Sequence, residues 1–112
     1  QYINVMFGGK LWYHPKLPVN RTRGVDHQVW LVKEQRNIWV NNYHSDCIYE
    51  EGLASCFEPL AIDRENHVVE AYGSDEMKIL ALQWHPERRF ETANAYEETR
   101  KIILDFIQKY VK

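Results

Sequence analysis

The sequence predicts an α/β fold in which an open sheet packs against helices. The middle of the chain alternates short β-like runs with polar turns, and the first two runs are residues 28–32 and 38–40. Residues 79–84 form the most apolar run, which is typical of a central strand buried on both faces. The last residues repeat apolar side chains at the 3.6-residue period of an amphipathic helix. Strands closed by a helix are typical of a layered α/β architecture.

The other elements follow from local patterns. Ile3, Met6 and Phe7 lie at helical spacing and predict a short first helix, which the following Gly-Gly pair terminates. Residues 10–25 carry four basic side chains and no acid, so this segment is either a solvated loop or a basic lip beside a site for anionic substrates. The remaining predicted elements are strands at residues 57–62 and 67–72 and a closing helix at residues 96–111.

The composition is that of a globular chain whose size suits one domain. The 112 residues are 45% hydrophobic and 27% charged, which is too apolar for a disordered segment. Fourteen Lys and Arg against 16 Asp and Glu give a net charge of −2, so there is no general attraction to nucleic acid or to an anionic membrane. No run approaches the ~18 apolar residues of a membrane helix. We therefore expect a cytoplasmic protein that binds neither nucleic acid nor membrane.

Structural roles are the simplest interpretation of the cysteines, three histidines and the tryptophans. Cys47 and Cys56 lack the close spacing of a metal or redox site, and Cys56 is predicted to be a buried free thiol. His14, His27 and His67 show no metal-ligand spacing. The tryptophans are predicted in the core rather than as stacking platforms for bases, and they are Trp12, Trp30, Trp39 and Trp84.

The segment that follows the most apolar strand contains the candidate chemistry. His85 and Glu87 lie two residues apart at the strand end, so their side chains are expected on one side. Pro86 between them stops strand pairing. A carboxylate beside an imidazole can orient the ring and leave its second nitrogen to accept a proton from a thiol or hydroxyl. The pair is either the base half of a nucleophilic triad or, on a structural interpretation, a packed histidine or a surface ion pair.

Longer motifs resemble one enzyme family. Residues 83–87, Gln-Trp-His-Pro-Glu, are similar to the C-terminal signature of class I glutamine amidotransferases. The γ-glutamyl-γ-aminobutyrate hydrolase-like branch of that family shares further motifs with the chain in the same order. They are Ile-Asn-Val at 3–5, Gly-Gly at 8–9, His-x-Val at 27–29 and Val-Asn-x-x-His at 40–44.

The resemblance implies a flavodoxin-like or Rossmann-like open sheet sandwiched by helices. Residues 1–112 are then expected to be the C-terminal part of a single domain of the glutamine amidotransferase fold. The nucleophile elbow is expected upstream, with the catalytic cysteine four residues before Gln1. In this interpretation neither Cys47 nor Cys56 replaces that nucleophile.

The family also implies roles for individual residues. His85 corresponds to the general base and Glu87 to the acid that orients it. Gln1 corresponds to a glutamine beside the bound γ-glutamyl group, and Tyr43 and His44 correspond to a loop near the substrate. For His44 a turn residue whose ring caps the local backbone is the alternative.

The activity that the resemblance implies is hydrolysis of a γ-glutamyl amide bond, or of glutamine, through a thioester on the upstream cysteine. Two alternatives stay open, namely a glutaminase subunit or domain that delivers ammonia to a synthetase, and a catalytically inactive family member that acts as a binding module. No cofactor and no metal ion are implied. The expected partners are a small-molecule γ-glutamyl substrate or glutamine and the N-terminal part of the same domain, and a homodimer is an open alternative.

Overall fold

The computed structural model describes residues 2–13, 25–43 and 46–110. Their elements in chain order are α1 (Tyr2–Met6), β1 (Trp12–Tyr13), β2 (His27–Leu31), β3 (Arg36–Val40), β4 (Asp46–Cys47), a 3₁₀ turn (Glu50–Gly52), β5 (Glu58–Asp63), β6 (Val68–Ser74), β7 (Ile79–Leu82) and α2 (Ala95–Tyr110). Gln1, His14, His44 and most of the basic segment lie outside the described residues.

The principal sheet has five strands in the order β3-β2-β5-β6-β7, and a second sheet pairs β1 with β4. Neighbouring strands within the described residues are antiparallel. For three of these pairs this follows from the short polar turns that join β2 to β3, β5 to β6 and β6 to β7, since a turn of a few residues can only reverse the chain. With α2 packed on the sheet, the predicted α/β class is confirmed.

Strand β7 lies at an edge of the described sheet, so its predicted central position was wrong. It pairs with β6, and its four residues are only half-buried. The apolar run has another cause, because a core lies on each face of the sheet. Ile79 and Ala81 pack against one core, and Leu82 packs against the other. The most buried strand is β6, in which residues 68–73 are all buried.

Two apolar clusters hold these layers together. The first lies between the sheet and α2, where Trp84 is buried together with β-strand residues and Ile102 of α2 packs against it. The indole Nε1 of Trp84 donates a hydrogen bond of 3.1 Å to the hydroxyl of Thr99 in α2. The second cluster lies on the opposite side of β6 and contains Ile48, Ala54, Phe57, Val69 and Tyr72.

Helix α1 forms where the sequence predicts it, but it does not bury the predicted apolar residues. Ile3, Met6 and Phe7 are all exposed, with Met6 80% accessible. Asn4 is the buried residue of this helix. Its side-chain amide lies inside because it bonds to two neighbouring segments.

The Asn4 amide ties α1 to the segment around the 3₁₀ turn. Its Nδ2 donates to the carbonyl of Gly52 at 3.0 Å and to that of Lys10 at 3.3 Å. Its Oδ1 accepts from the backbone N–H of Ala54 at 2.7 Å. Gly9 passes so close to this amide that any Cβ at this position would collide with it. Glycine is therefore required here by close approach.

Two further predictions are corrected by burial. Cys56 is exposed rather than buried, whereas Cys47 is buried. Trp84 belongs to the core as predicted, but Trp39 is 42% exposed because it alternates with the buried Ile38 and Val40 along β3. In the part of the chain that the structure describes, no helix is both long and apolar enough to cross a membrane.

Candidate active site

The turn that follows β7 brings His85 and Glu87 into direct contact. The backbone N–H of Arg88 donates to the carbonyl of His85 at 3.0 Å, which closes a four-residue turn with Pro86 at its second position. Proline favours this position because its φ is already set to the value that the turn requires. Within the turn, Nδ1 of His85 lies 2.9 Å from Oε2 of Glu87.

The electrostatics of the pair suit a carboxylate that orients an imidazole. The hydrogen bond with His85 is the largest cause that lowers the pKa of Glu87 below its ordinary value, and a bond from its own backbone N–H adds to it. Glu87 is therefore ionised at neutral pH. When its carboxylate accepts a hydrogen bond from Nδ1–H, the neutral imidazole has Nε2 as its proton acceptor. The His85 side chain is 35% exposed, so the side chain is partly accessible.

Tyr43 is the predicted substrate-binding residue that the structure describes, and it lies beside His85. The two rings meet edge to face with their centroids 6.1 Å apart. The guanidinium of Arg88 lies 4.8 Å from the centre of the Tyr43 ring, within the range of a cation–π contact. Tyr43 therefore contacts both His85 and Arg88.

Sequence reasoning missed Asn41, which makes the closest contacts with the backbone of the site. Its side chain is fully buried. Its Oδ1 accepts from the backbone N–H of His85 at 2.9 Å, and its Nδ2 donates to the His85 carbonyl at 2.8 Å. The available signal was a polar residue that ends the apolar run of β3 inside the Val-Asn-x-x-His motif.

Asp26 is a second residue that the sequence did not single out. It is buried just before β2, and its Oδ2 accepts the backbone N–H groups of Glu91 at 3.0 Å and Thr92 at 2.8 Å. These partners are 65 and 66 residues away along the chain. No local pattern in the sequence indicates such a contact.

Other polar features lie near the sheet but outside the His85 turn. His27 and Glu70 are both buried, with Nε2 and Oε1 4.0 Å apart. A cavity of about 570 Å³ lies along β2 and β3, lined partly by Trp30 and Trp39, and it does not include His85. Within residues 2–13, 25–43 and 46–110, no three His, Cys, Asp or Glu side chains are grouped so that they could hold a metal ion.

Comparison with known proteins assigns the chain to a family. The sequence model of peptidase C26 matches residues 12–87, which is more than half of the chain and includes Asn41, His85 and Glu87. The chain belongs to the peptidase C26 family. This supports the predicted class I glutamine amidotransferase-like family without distinguishing the γ-glutamyl-γ-aminobutyrate hydrolase-like branch. No curated protein matches the chain.

A solved structure shares the fold of this family member. It is a Thermoplasma acidophilum protein provisionally described as one of the subunits of GMP synthase, and it superposes with a TM-score of 0.68 at 21% sequence identity. The match covers 97% of this chain and 54% of that protein. The chain therefore spans about half the length of its structural neighbour.

Proposed function

We propose that the protein containing this chain hydrolyses a γ-glutamyl amide bond, in glutamine or in a γ-glutamyl conjugate, with a Cys-His-Glu triad. The observation that carries this proposal is the 2.9 Å contact between His85 Nδ1 and Glu87 Oε2 in an accessible turn after a strand. Membership of the peptidase C26 family supports it. The nucleophile is the cysteine expected four residues before Gln1, in an N-terminal part of the same domain.

The mechanism assigns one step to each group. The cysteine thiol gives its proton to Nε2 of His85 while its sulfur bonds to the γ-carbonyl carbon. His85 then protonates the leaving amine as the C–N bond breaks, and a γ-glutamyl thioester remains. Water attacks the thioester carbon, gives a proton to His85, and glutamate leaves as that proton returns to the sulfur. Glu87 stays ionised, accepts a hydrogen bond from the Nδ1–H of His85 throughout, and stabilises the imidazolium that forms in each step.

The proposal also assigns residues to binding of the γ-glutamyl group. The proposal gives this role to Gln1, Tyr43 and His44. The position of the Tyr43 ring, edge to face with His85, supports its part in this assignment. In that position an aromatic ring shields the reacting carbonyl from bulk water, which strengthens the electrostatic interactions inside the site.

The test is turnover by the full-length protein after substitution of the base. We expect His85→Ala to lower kcat on the preferred γ-glutamyl amide by at least about 100-fold, since general base catalysis contributes about that much or more. His67→Ala is the matched control, because His67 Nδ1 lies 3.2 Å from Glu50 Oε2 in an exposed pair of the same type. Equal turnover by His85→Ala and the wild type would show that His85 is not the base.

A glutaminase that supplies ammonia to a synthetase is the second candidate. The structural neighbour favours it, since that protein is provisionally described as belonging to GMP synthase. The hydrolase and the glutaminase would form the same γ-glutamyl thioester intermediate, and they would differ in the amine that leaves. Ammonia release from glutamine should be compared with cleavage of a panel of γ-glutamyl amines. Fast glutaminase activity that requires a synthetase partner would exclude the free-standing hydrolase, and inactivity on every substrate would indicate a binding module.

A further inference from the structure

We infer that Asn41 and Asp26 are positioning residues that fix the backbone of residues 85–92, here called the catalytic segment. This inference rests on the proposed function, in which His85 and Glu87 carry the proton transfers. Neither Asn41 nor Asp26 contacts the reacting atoms. Both act through the backbone on which the catalytic side chains are mounted.

Asn41 replaces a strand neighbour at the point where strand pairing has ended. Strand β7 ends at Leu82, and Pro86 has no N–H to continue a ladder. The Asn41 amide nevertheless exchanges two hydrogen bonds with the backbone of His85, one to its N–H and one to its carbonyl. This is the bonding that a paired residue in an antiparallel sheet would provide. The N–H and carbonyl of His85 therefore both have partners beyond the end of the strand.

The same amide also reaches the far side of the turn. Nδ2 of Asn41 lies 3.4 Å from the carbonyl oxygen of Arg88 and 3.3 Å from that of Arg89. Since Asn41 is completely buried, these bonds are protected from competing water. One side chain therefore contacts both ends of the turn that contains Glu87.

Asp26 holds the next part of the catalytic segment through the N–H groups of Glu91 and Thr92. Its position is linked to that of Asn41 by the register of the sheet, in which His27 pairs with Val40. Asp26 precedes His27 and Asn41 follows Val40, so both anchors extend from the same end of the β2–β3 hairpin. Because this hairpin is a paired unit, the two anchors keep a fixed separation.

Such anchoring is needed because packing alone does not fix the proposed catalytic side chains. The side chain of Glu87 is 66% exposed and that of His85 is also accessible. An exposed ion pair alone defines geometry poorly, since solvent screens it and both side chains can rotate away. A fixed backbone sets the positions from which the two side chains extend, so that the contact between them can direct Nε2 towards the nucleophile, and catalysis is sensitive to displacements of about 1 Å.

The kinetic experiment compares substitutions at both anchors in the full-length protein. Asn41→Ala is expected to lower kcat at least about 10-fold with little change in KM and to alter the pH profile of kcat. Asp26→Ala should do the same, whereas Asp26→Asn should retain activity because its carbonyl oxygen can accept the same two N–H groups. Asn37→Ala, at an exposed position of β3, is the matched control and should behave as the wild type.

Two measurements test the inference independently of activity. Amide hydrogen exchange in the wild type should be slow at His85, Glu91 and Thr92, since each N–H is donated to a buried side chain. Carboxyl titration by NMR should show that Asn41→Ala raises the pKa of Glu87 towards its ordinary value, because the bond with His85 that lowers this pKa is loosened. Asp75, whose pKa is lowered by Lys109, serves as the unaffected reference.

The outcomes separate this inference from the proposed function. Fast exchange at the three amides would overturn the anchoring even if Asn41→Ala fails to fold. A folded Asn41→Ala variant with unchanged kcat and an unchanged Glu87 titration would overturn it as well. A wild type without hydrolase activity would refute the proposed function, while slow exchange and the shifted Glu87 titration would still support the anchoring.

Discussion

Thr99→Val tests the link between helix α2 and the strand end that carries the site. Thr99 and Trp84 are both buried, and the Thr99 hydroxyl accepts the indole N–H at 3.1 Å. Valine has nearly the same shape as threonine but accepts no hydrogen bond, so the substitution leaves the indole N–H buried without a partner. A buried donor without a partner costs about 1–3 kcal/mol. We expect a loss of about 2 kcal/mol, or ~4–8 °C in Tm for a domain of about 150–250 residues.

The assay is thermal and urea unfolding of the full-length protein, with Thr99→Ser and Tyr96→Phe as controls. Thr99→Ser retains the hydroxyl and should lose much less stability than Thr99→Val. Tyr96 is exposed on the same helix, so Tyr96→Phe should leave Tm unchanged. If Thr99→Val were as stable as the wild type, the indole would have another partner, and the hydrogen bond would not be what joins α2 to the strand end.

The remaining predictions concern close packing and a surface charge. Gly9→Ala should destabilise the protein by about 1–3 kcal/mol in urea unfolding, because the added methyl group collides with the Asn4 amide; unchanged stability would contradict the close approach. The pKa of Asp75 lies below its ordinary value, chiefly because Lys109 and then Tyr110 bond to it. Its stabilisation is therefore present above about pH 4 and lost as the pH falls through the lowered pKa. The small Tm deficit of Asp75→Asn at neutral pH should disappear in acid and in high salt.

The sequence predicts those features that depend on neighbouring residues. His85 and Glu87 are two positions apart with a proline between them, so a shared turn could be expected without knowledge of the fold. The closing helix was predicted from one apolar period, and the structure places it at Ala95–Tyr110. In both cases the information lies within one turn or one helix.

Features that depend on distant segments were not predictable in the same way. An apolar run such as residues 79–84 is expected both for a central strand and for an edge strand with a core on each face. The chain pairs it with β6 at an edge, and only the sheet order distinguishes the two cases. Asn4 shows the converse, since bonds to the distant backbone groups of Gly52 and Ala54 accompany the burial of a polar residue in a helix whose apolar residues stay exposed.

The candidate site also combines features that depend on neighbouring residues with features that depend on distant segments. The proposed catalytic pair is local, but Asn41 and Asp26, the residues inferred to anchor it, lie 44 and 65 residues from their first partners. Neither the residue type nor the sequence spacing of Asn41 and Asp26 distinguishes them from other buried polar residues at strand ends. Their roles become visible only when the register of β2 and β3 places both at the same end of one hairpin.

The most direct test of the central claim is the rate at which a glutamine-analogue alkylator modifies the full-length protein. We expect one covalent adduct, located by mass spectrometry on a cysteine four residues before Gln1. We also expect His85→Ala to slow adduct formation by at least about 100-fold at neutral pH, since the base no longer removes the thiol proton. Equal labelling rates in the two proteins, or an adduct on Cys47 or Cys56 instead, would contradict the assignment of His85 and Glu87 as partners of an upstream nucleophile.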